Sequence, residues 1–194
     1  MSDSYLPANL VPNPSDGQEN PMGHPAPLPG DPRRQAVFSI HGIVYQAWWS
    51  IDAWLRLSIA DEAIYLEGSE DFDVVRSSGA IAVQVKRNTG TISLGTSKAL
   101  KALENYWALS YKTPQRLIDF RYLTTSSIAT ERDSDFGGRS GIEVWRAAQT
   151  SREMAQKIVE YLKMKLGEQS PLRAFLDSAT AEQVQDRLIR RFHW

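Results

Sequence analysis

The chain has 194 residues, a formal net charge of −1, three histidines and no cysteine. That excludes disulfides and thiolate metal sites, makes a histidine-built zinc site a poor expectation, and leaves length enough for one ordinary domain with a real core. No run approaches the roughly 18 apolar residues needed to cross a bilayer, and no basic start precedes an apolar stretch as in a secretory signal, so a cytoplasmic protein without membrane contact is expected. Near-zero net charge does not argue against a nucleic-acid partner, because an acidic metal centre and a local basic surface cancel in the sum.

Eight of the ten prolines lie within residues 1–32. Residues 1–34 lack periodicity and are rich in Pro, Asn, Asp and Gly, which predicts a disordered leader ahead of a folded domain spanning 35–194. From about Gly42 the pattern turns helical, with Val44, Trp48, Ile51, Trp54 or Leu55 and Ile59 at helical spacing and Gln46 on a different part of the helix. Three strands are predicted next, over 62–67, 71–76 and 80–87, the last two joined by the tight turn Ser77-Ser78-Gly79. Thr96 or Ser97 is placed to cap a helix reaching about Ser110, with Ala99, Leu100, Leu103, Tyr106 and Trp107 inward, before Pro114 breaks it. Leu117 to Thr125 alternates and predicts a fourth strand. After a polar, glycine-bearing loop at 133–141, one long helix is expected over 142–166, then short helices near 171–177 and 180–191. Sequential strands on tight turns, followed by a crossover helix and another strand, predict an α/β fold: a mixed sheet of about four strands flanked by helices, with C-terminal helical additions.

The chemistry concentrates in the predicted second and third strands. Side chains alternate along a strand, so Gln84 and Lys86 share one face while Val83 and Val85 share the other. Asp71 and Asp73 likewise share a face, and Glu67 stands at the end of the first strand. Should the hairpin turn these faces to the same side, Asp71 or Asp73, Gln84 and Lys86 converge. Acids to hold a hard cation beside an ammonium at a strand end are what metal-dependent phosphodiester hydrolysis needs. Taken alone, Gln84-Val85-Lys86 is better read as a solvated edge strand; the upstream acids and Gln46 reverse that and favour a site. Lys86, Arg87, Lys98 and Lys101 form a basic group bordering it, suited to phosphate. Arg187, Arg190 and Arg191 suit a salt-bridged helix surface. Trp48, Trp49, Trp54, Trp107 and Trp145 suit core and interface. His41 and His193 lack metal-ligand spacing.

This order of elements and residues resembles the PD-(D/E)xK, or restriction-endonuclease-like, superfamily, with Gln84-Val85-Lys86 at the (Asp/Glu)-x-Lys position and a Gln where an acid is commonest. Gly42 to Gln46, Glu67 to Asp71, Gln84 to Lys86 and Thr124 to Ser126 together look like the dsDNA endonuclease domain of CD-NTase-associated effector nucleases, found also at the N-terminus of bacterial antiphage STAND/NLR-like proteins. The resemblance spans about residues 36–192. It implies a restriction-endonuclease-like core and a Mg²⁺-dependent endodeoxyribonuclease, with Mn²⁺ as a substitute, in bacterial defence. It implies Asp71 as the main metal ligand with Asp73 its rival, Gln84 as a neutral ligand, Lys86 on the attacking water and scissile phosphate, Glu67 as an accessory acid, and Gln46 reaching in from the first helix. Double-stranded DNA, a homo-oligomer for activation, and a C-terminal sensor or STAND ATPase module in a longer chain are the implied partners. The alternative expectation is a catalytically inactive restriction-like fold that serves as a nucleic-acid-binding or oligomerisation module, favoured by Gln84.

Overall fold

The computed structural model describes residues 37–58 and 61–194. The leader expected over 1–34, and Ile59, lie outside them. In chain order the elements are α1 (Val37–Leu55), β1 (Ala63–Leu66), β2 (Phe72–Arg76), β3 (Gly79–Lys86), β4 (Thr91–Ile92), α2 (Ser97–Lys112), β5 (Ile118–Thr124), β6 (Ser127–Ile128), α3 (Gly141–Ala148), α4 (Arg152–Lys165), α5 (Pro171–Ser178) and α6 (Ala181–Val184), which continues as a π-helical turn over Gln185–Ile189, and finally β7 (Phe192–His193).

The main sheet has five strands in the order β1-β2-β3-β5-β7. β1, β2 and β3 pair antiparallel, whereas β3 with β5 and β5 with β7 run parallel. A mixed sheet flanked by helices was expected; the fifth strand was not. β4 and β6 form a separate short parallel pair.

Local chemistry explains these elements. Arg76 pairs with Gly79 across the two-residue turn Ser77–Ser78, and Asp61 Oδ2 accepts from Ser77 Oγ at 2.5 Å and from its N–H at 3.3 Å. A side chain at position 79 would put its Cβ 2.7 Å from the Leu117 carbonyl, so only glycine lets β3 start this close to β5. Thr96 caps α2, its hydroxyl accepting from the Ala99 N–H. Ser140 caps α3 within a complete capping box with Glu143, which satisfies two otherwise orphaned N–H groups.

Two apolar layers cover the sheet. Phe72, Val74, Val83 and Val85 pack on one face with Tyr45, Trp49 and Ala53 of α1. Ala82, Ile118, Phe120 and Tyr122 pack on the other with Leu103, Tyr106 and Trp107 of α2 and with Trp145, Ile158 and Leu162 behind them. Every strand residue of this core is therefore assigned by parity to α1 or to α2.

The single helix expected over 142–166 is two. Ala147 O accepts from both Thr150 and Ser151 N–H, and Ser151 Oγ then caps α4 through the Met154 N–H; Thr and Ser compete with the helical ladder in this way. The helix expected over 180–191 ends early because the backbone leaves it to pair with β5. Phe192 stacks on Phe120 with centroids 4.9 Å apart, Phe120 N–H donates to Arg191 O at 2.7 Å, and Trp145 Nε1 donates to Phe192 O at 3.0 Å.

Candidate active site

In the β2–β3 ladder Asp73 lies opposite Ala82. Asp73, Ala82, Gln84 and Lys86 therefore project from the same face of the sheet, the one that packs on α2. In the parallel β3–β5 ladder Gln84 lies beside Tyr122 and Lys86 beside Thr124. The conditional alignment of faces expected from the hairpin is thus present.

The connection from β1 to β2 distributes the acids. Glu67 takes a left-handed backbone, φ 51°, and its N–H donates to Asp71 O at 3.1 Å. Asp73 turns back on this connection, accepting from Ser69 N–H at 2.7 Å and from Ser69 Oγ at 2.6 Å. A Cβ at Gly68 would lie 2.3 Å from Asp73 Oδ2, so the turn closes on that carboxylate. Asp71 reaches across to β3 instead. Its Oδ2 accepts from Val85 N–H at 2.6 Å and lies 3.4 Å from Lys86 Nζ. Of the two aspartates that the sequence leaves as rivals, Asp71 makes the contacts with the Gln84-Val85-Lys86 strand, and Asp73 shapes the turn.

Glu70 is the residue that the sequence reading misses. Gln84 Nε2 donates to its Oε2 at 2.7 Å, and Asn105 Nδ2 of α2 donates to its Oε1 at 3.2 Å. Burial pushes the Glu70 carboxyl above the usual glutamate range; the Asn105 hydrogen bond opposes this and the charge of Asp71 adds to it. Tyr122 is buried on the same face, and its phenol is raised by burial and by the charge of Asp71. A signal for Asn105 was available: Lys98, Lys101 and Asn105 recur at three- and four-residue intervals along α2 and so share a helix face.

Gln46 and Glu67 form the outer support. Gln46 Nε2 donates to Glu67 Oε1 at 2.9 Å and to Asp71 O at 3.2 Å. α1 thereby holds the backbone that carries Asp71. Beside the cluster opens a cleft of about 660 Å³ whose lining includes Gln84, Lys86, Asn88, Lys98, Lys101 and Tyr122. Lys98 Nζ donates to Asn88 Oδ1 at 3.0 Å. Arg87 is exposed and is not among the lining residues. Two of the three basic residues expected to meet phosphate, together with Lys86 itself, thus border one opening.

Among the described residues no group of three or more His, Cys, Asp or Glu is placed to hold a metal. The donor set nevertheless suits one particular kind of ion. Glu70 and Asp71 are carboxylates close enough to perturb one another, and the Gln84 amide, with its nitrogen on Glu70, keeps an oxygen to offer. Mg²⁺ takes hard oxygen donors, commonly one or two carboxylates, and keeps several waters rather than filling an all-protein cage. A half-buried acid beside a second acid is relieved by such a cation.

Of the three arginines expected on a salt-bridged helix surface, two are ion-paired and the third lies on aromatic rings. Arg190 pairs with Asp186, Arg191 with Asp119 at 3.2 Å, and Arg187 lies over the stacked Trp107 and Phe175 rings. No family model, curated protein or solved structure matches the chain.

Proposed function

We propose that the chain is a metal-dependent endodeoxyribonuclease of the PD-(D/E)xK type that hydrolyses phosphodiester bonds of double-stranded DNA. The observation that carries this reading is the contact of Asp71 with Lys86 and of Glu70 with Gln84, where Gln84 and Lys86 line a lysine-bordered cleft. The DNA substrate and a role as effector domain in bacterial antiphage defence rest on the resemblance, as do activation by homo-oligomerisation and a C-terminal sensor or STAND ATPase module.

Asp71 and Glu70, with the Gln84 amide oxygen, are the residues that would hold Mg²⁺ or Mn²⁺. When bound, such an ion polarises a phosphoryl oxygen and makes a coordinated water more acidic. Lys86 sits 3.4 Å from Asp71, where its ammonium orients the attacking water and offsets charge developing at the scissile phosphate. Lys98 and Lys101 engage the DNA backbone, which positions the duplex without reading its sequence. Gln46 acts through the backbone of Asp71 and is a positioning residue.

Lys86→Ala and Asp71→Ala should each lower Mg²⁺-dependent plasmid cleavage by at least about 100-fold, the range for removing one preorganised charge-stabilising group. Lys86 is 42% exposed, so Lys86→Ala should lose no more than about 1 kcal/mol of stability; Asp71→Ala also leaves the Val85 N–H without its acceptor and should cost about 1–3 kcal/mol, and circular dichroism should show the native fold in both. Undiminished cleavage by Lys86→Ala refutes the reading.

A second reading, the inactive restriction-like module, is favoured by one observation: Gln84 adds no charge, and its amide nitrogen is tied to Glu70. Calorimetric titration separates the two. DNA binding without Mg²⁺ or Mn²⁺ binding supports the module.

A further inference from the structure

A helix that is apolar on two opposite sides is normally covered on both. α1 is covered on one. Its sheet side carries Tyr45, Trp49 and Ala53 against the β2–β3 layer. On the opposite side Ile43, Trp48, Trp54 and Leu55 are between 63% and 71% exposed, with Ile40, Val44 and Ile51 about half exposed. These side chains present on the order of 800–900 Å² of accessible apolar surface, comparable to the roughly 800 Å² that each partner contributes to a specific protein interface. Monomers seldom leave so large a contiguous patch in water.

The spacing within the patch is that of a helix-pairing seam. Ile40, Val44, Ala47, Ile51 and Trp54 recur at intervals of four, three, four and three residues, the heptad pattern that places apolar side chains along one stripe. Ala47 falls beside the midpoint of the 19-residue helix. A small residue there lets two helix axes approach closely, with the bulkier Trp48 and Trp54 to either side.

We propose that this face of α1 is a homodimer interface in which α1 packs antiparallel on α1 of a second copy, with the two-fold axis at Ala47. Such a contact is isologous: the Ile40–Val44 end of each helix meets the Ile51–Trp54 end of the other, so one patch completes itself without a second complementary surface. Other occupants fit less well. Residues 1–36 contain eight prolines, and their large apolar residues come no more than two together, as in Tyr5-Leu6 and Leu10-Val11; such a segment cannot supply a continuous apolar stripe. A membrane surface is disfavoured because α1 holds no lysine or arginine, whereas helices that lie on membranes carry a basic polar face. The proposal stands on the apolar face and does not depend on the nuclease reading.

Light scattering coupled to size exclusion tests it on the 194-residue chain. At about 100 μM, far above the micromolar weak end expected of a standard-size interface, the particle mass should be twice the 21.8 kDa of one chain. Trp48→Glu and Ile51→Glu, each on the outer side, should weaken dimerisation by at least about 100-fold, because each buries an unpaired charge in the seam, and should keep the circular dichroism of the parent. A second measurement does not depend on these variants folding well. The chain has no cysteine, so Ala47→Cys introduces one thiol at the proposed two-fold axis, and mild oxidation should link nearly all chains in pairs. Thr130→Cys, on an exposed loop, should stay unlinked. A monomeric parent, a dimer unaffected by both glutamates, or a dimer that Ala47→Cys fails to link each overturns the proposal.

Discussion

Glu70→Gln separates the metal role of Glu70 from its structural role, because only the metal role depends on Mg²⁺. The Glu70 carboxyl is raised in the folded chain, chiefly by burial. A folded pKa above the unfolded one means that the folded state favours the protonated acid. The stability this group contributes is fully present below the unfolded pKa, near 4.3 for glutamate, and is lost as pH rises through the folded value. At neutral pH the ionised carboxylate is therefore a net cost, and removing its charge relieves it. Glutamine keeps one acceptor for the two amides that now donate to Glu70, from Gln84 and Asn105; one of those amides can flip to accept, so the loss is at most about 1 kcal/mol. In EDTA at pH 7 the variant should melt within about 4 °C of the parent, and its stability relative to the parent should fall as pH falls toward 4.3. Magnesium should behave differently. At ten times its dissociation constant a bound ion stabilises by about 1.4 kcal/mol, or about 3–6 °C for a domain of this size. Loss of a carboxylate that weakens binding tenfold, the low end for changes around a metal, leaves about 0.4 kcal/mol at the same concentration and a shift of only about 1–2 °C. A thermal melt with and without millimolar Mg²⁺ reads both effects. An unchanged Mg²⁺ shift in Glu70→Gln, or a parent with no shift, refutes a metal-holding role for Glu70.

Gly68→Ala should displace the Asp73 carboxylate, since the new Cβ would lie 2.3 Å from its Oδ2; the expected cost is about 1–2 kcal/mol in urea unfolding, from the two Ser69 hydrogen bonds, and Asp73→Asn should cost less because its oxygen keeps the Ser69 N–H while the Ser69 hydroxyl turns to accept from the amide nitrogen. Parent-like stability in Gly68→Ala counts against Asp73 as the residue that shapes the turn. Lys98→Ala combined with Lys101→Ala should weaken DNA binding at low salt and make the slope of log K against log salt shallower by about 1.8, the value for two lost phosphate contacts. An unchanged slope removes these lysines from the DNA interface.

The sheet was largely legible because its strands announce themselves by local alternation. Val83 and Val85 against Gln84 and Lys86 identify the two faces of β3, and the Ser77–Ser78 turn fixes its register with β2. What was not legible is set by contacts between distant parts of the chain. β7 is two residues long and carries no periodicity of its own; it exists because Phe192 finds Phe120, seventy-two positions earlier. The division of labour between Asp71 and Asp73 was hidden for a different reason. Both have the same parity, so alternation cannot tell them apart, and the outcome depends on a Ser69 N–H and hydroxyl four residues upstream.

Glu70 shows why strand parity alone under-reports this site. It precedes β2, where alternation has not yet begun, yet its carboxylate lies against the Gln84 amide. In the superfamily pattern that the chain resembles, position 84 would commonly carry an acid; here it is neutral, and a carboxylate from the β1–β2 connection stands beside it. Counting charges around the proposed ion, Asp71 and Glu70 supply two negatives and Lys86 one positive, which is the balance an Asp on β2 and an acid at position 84 would have given. Asn105 fixes Glu70 from α2, the same helix that presents Lys98 and Lys101 to the cleft. The neutrality of residue 84, which favours the idle module, is thus weighed against a carboxylate that lies 2.7 Å from its amide.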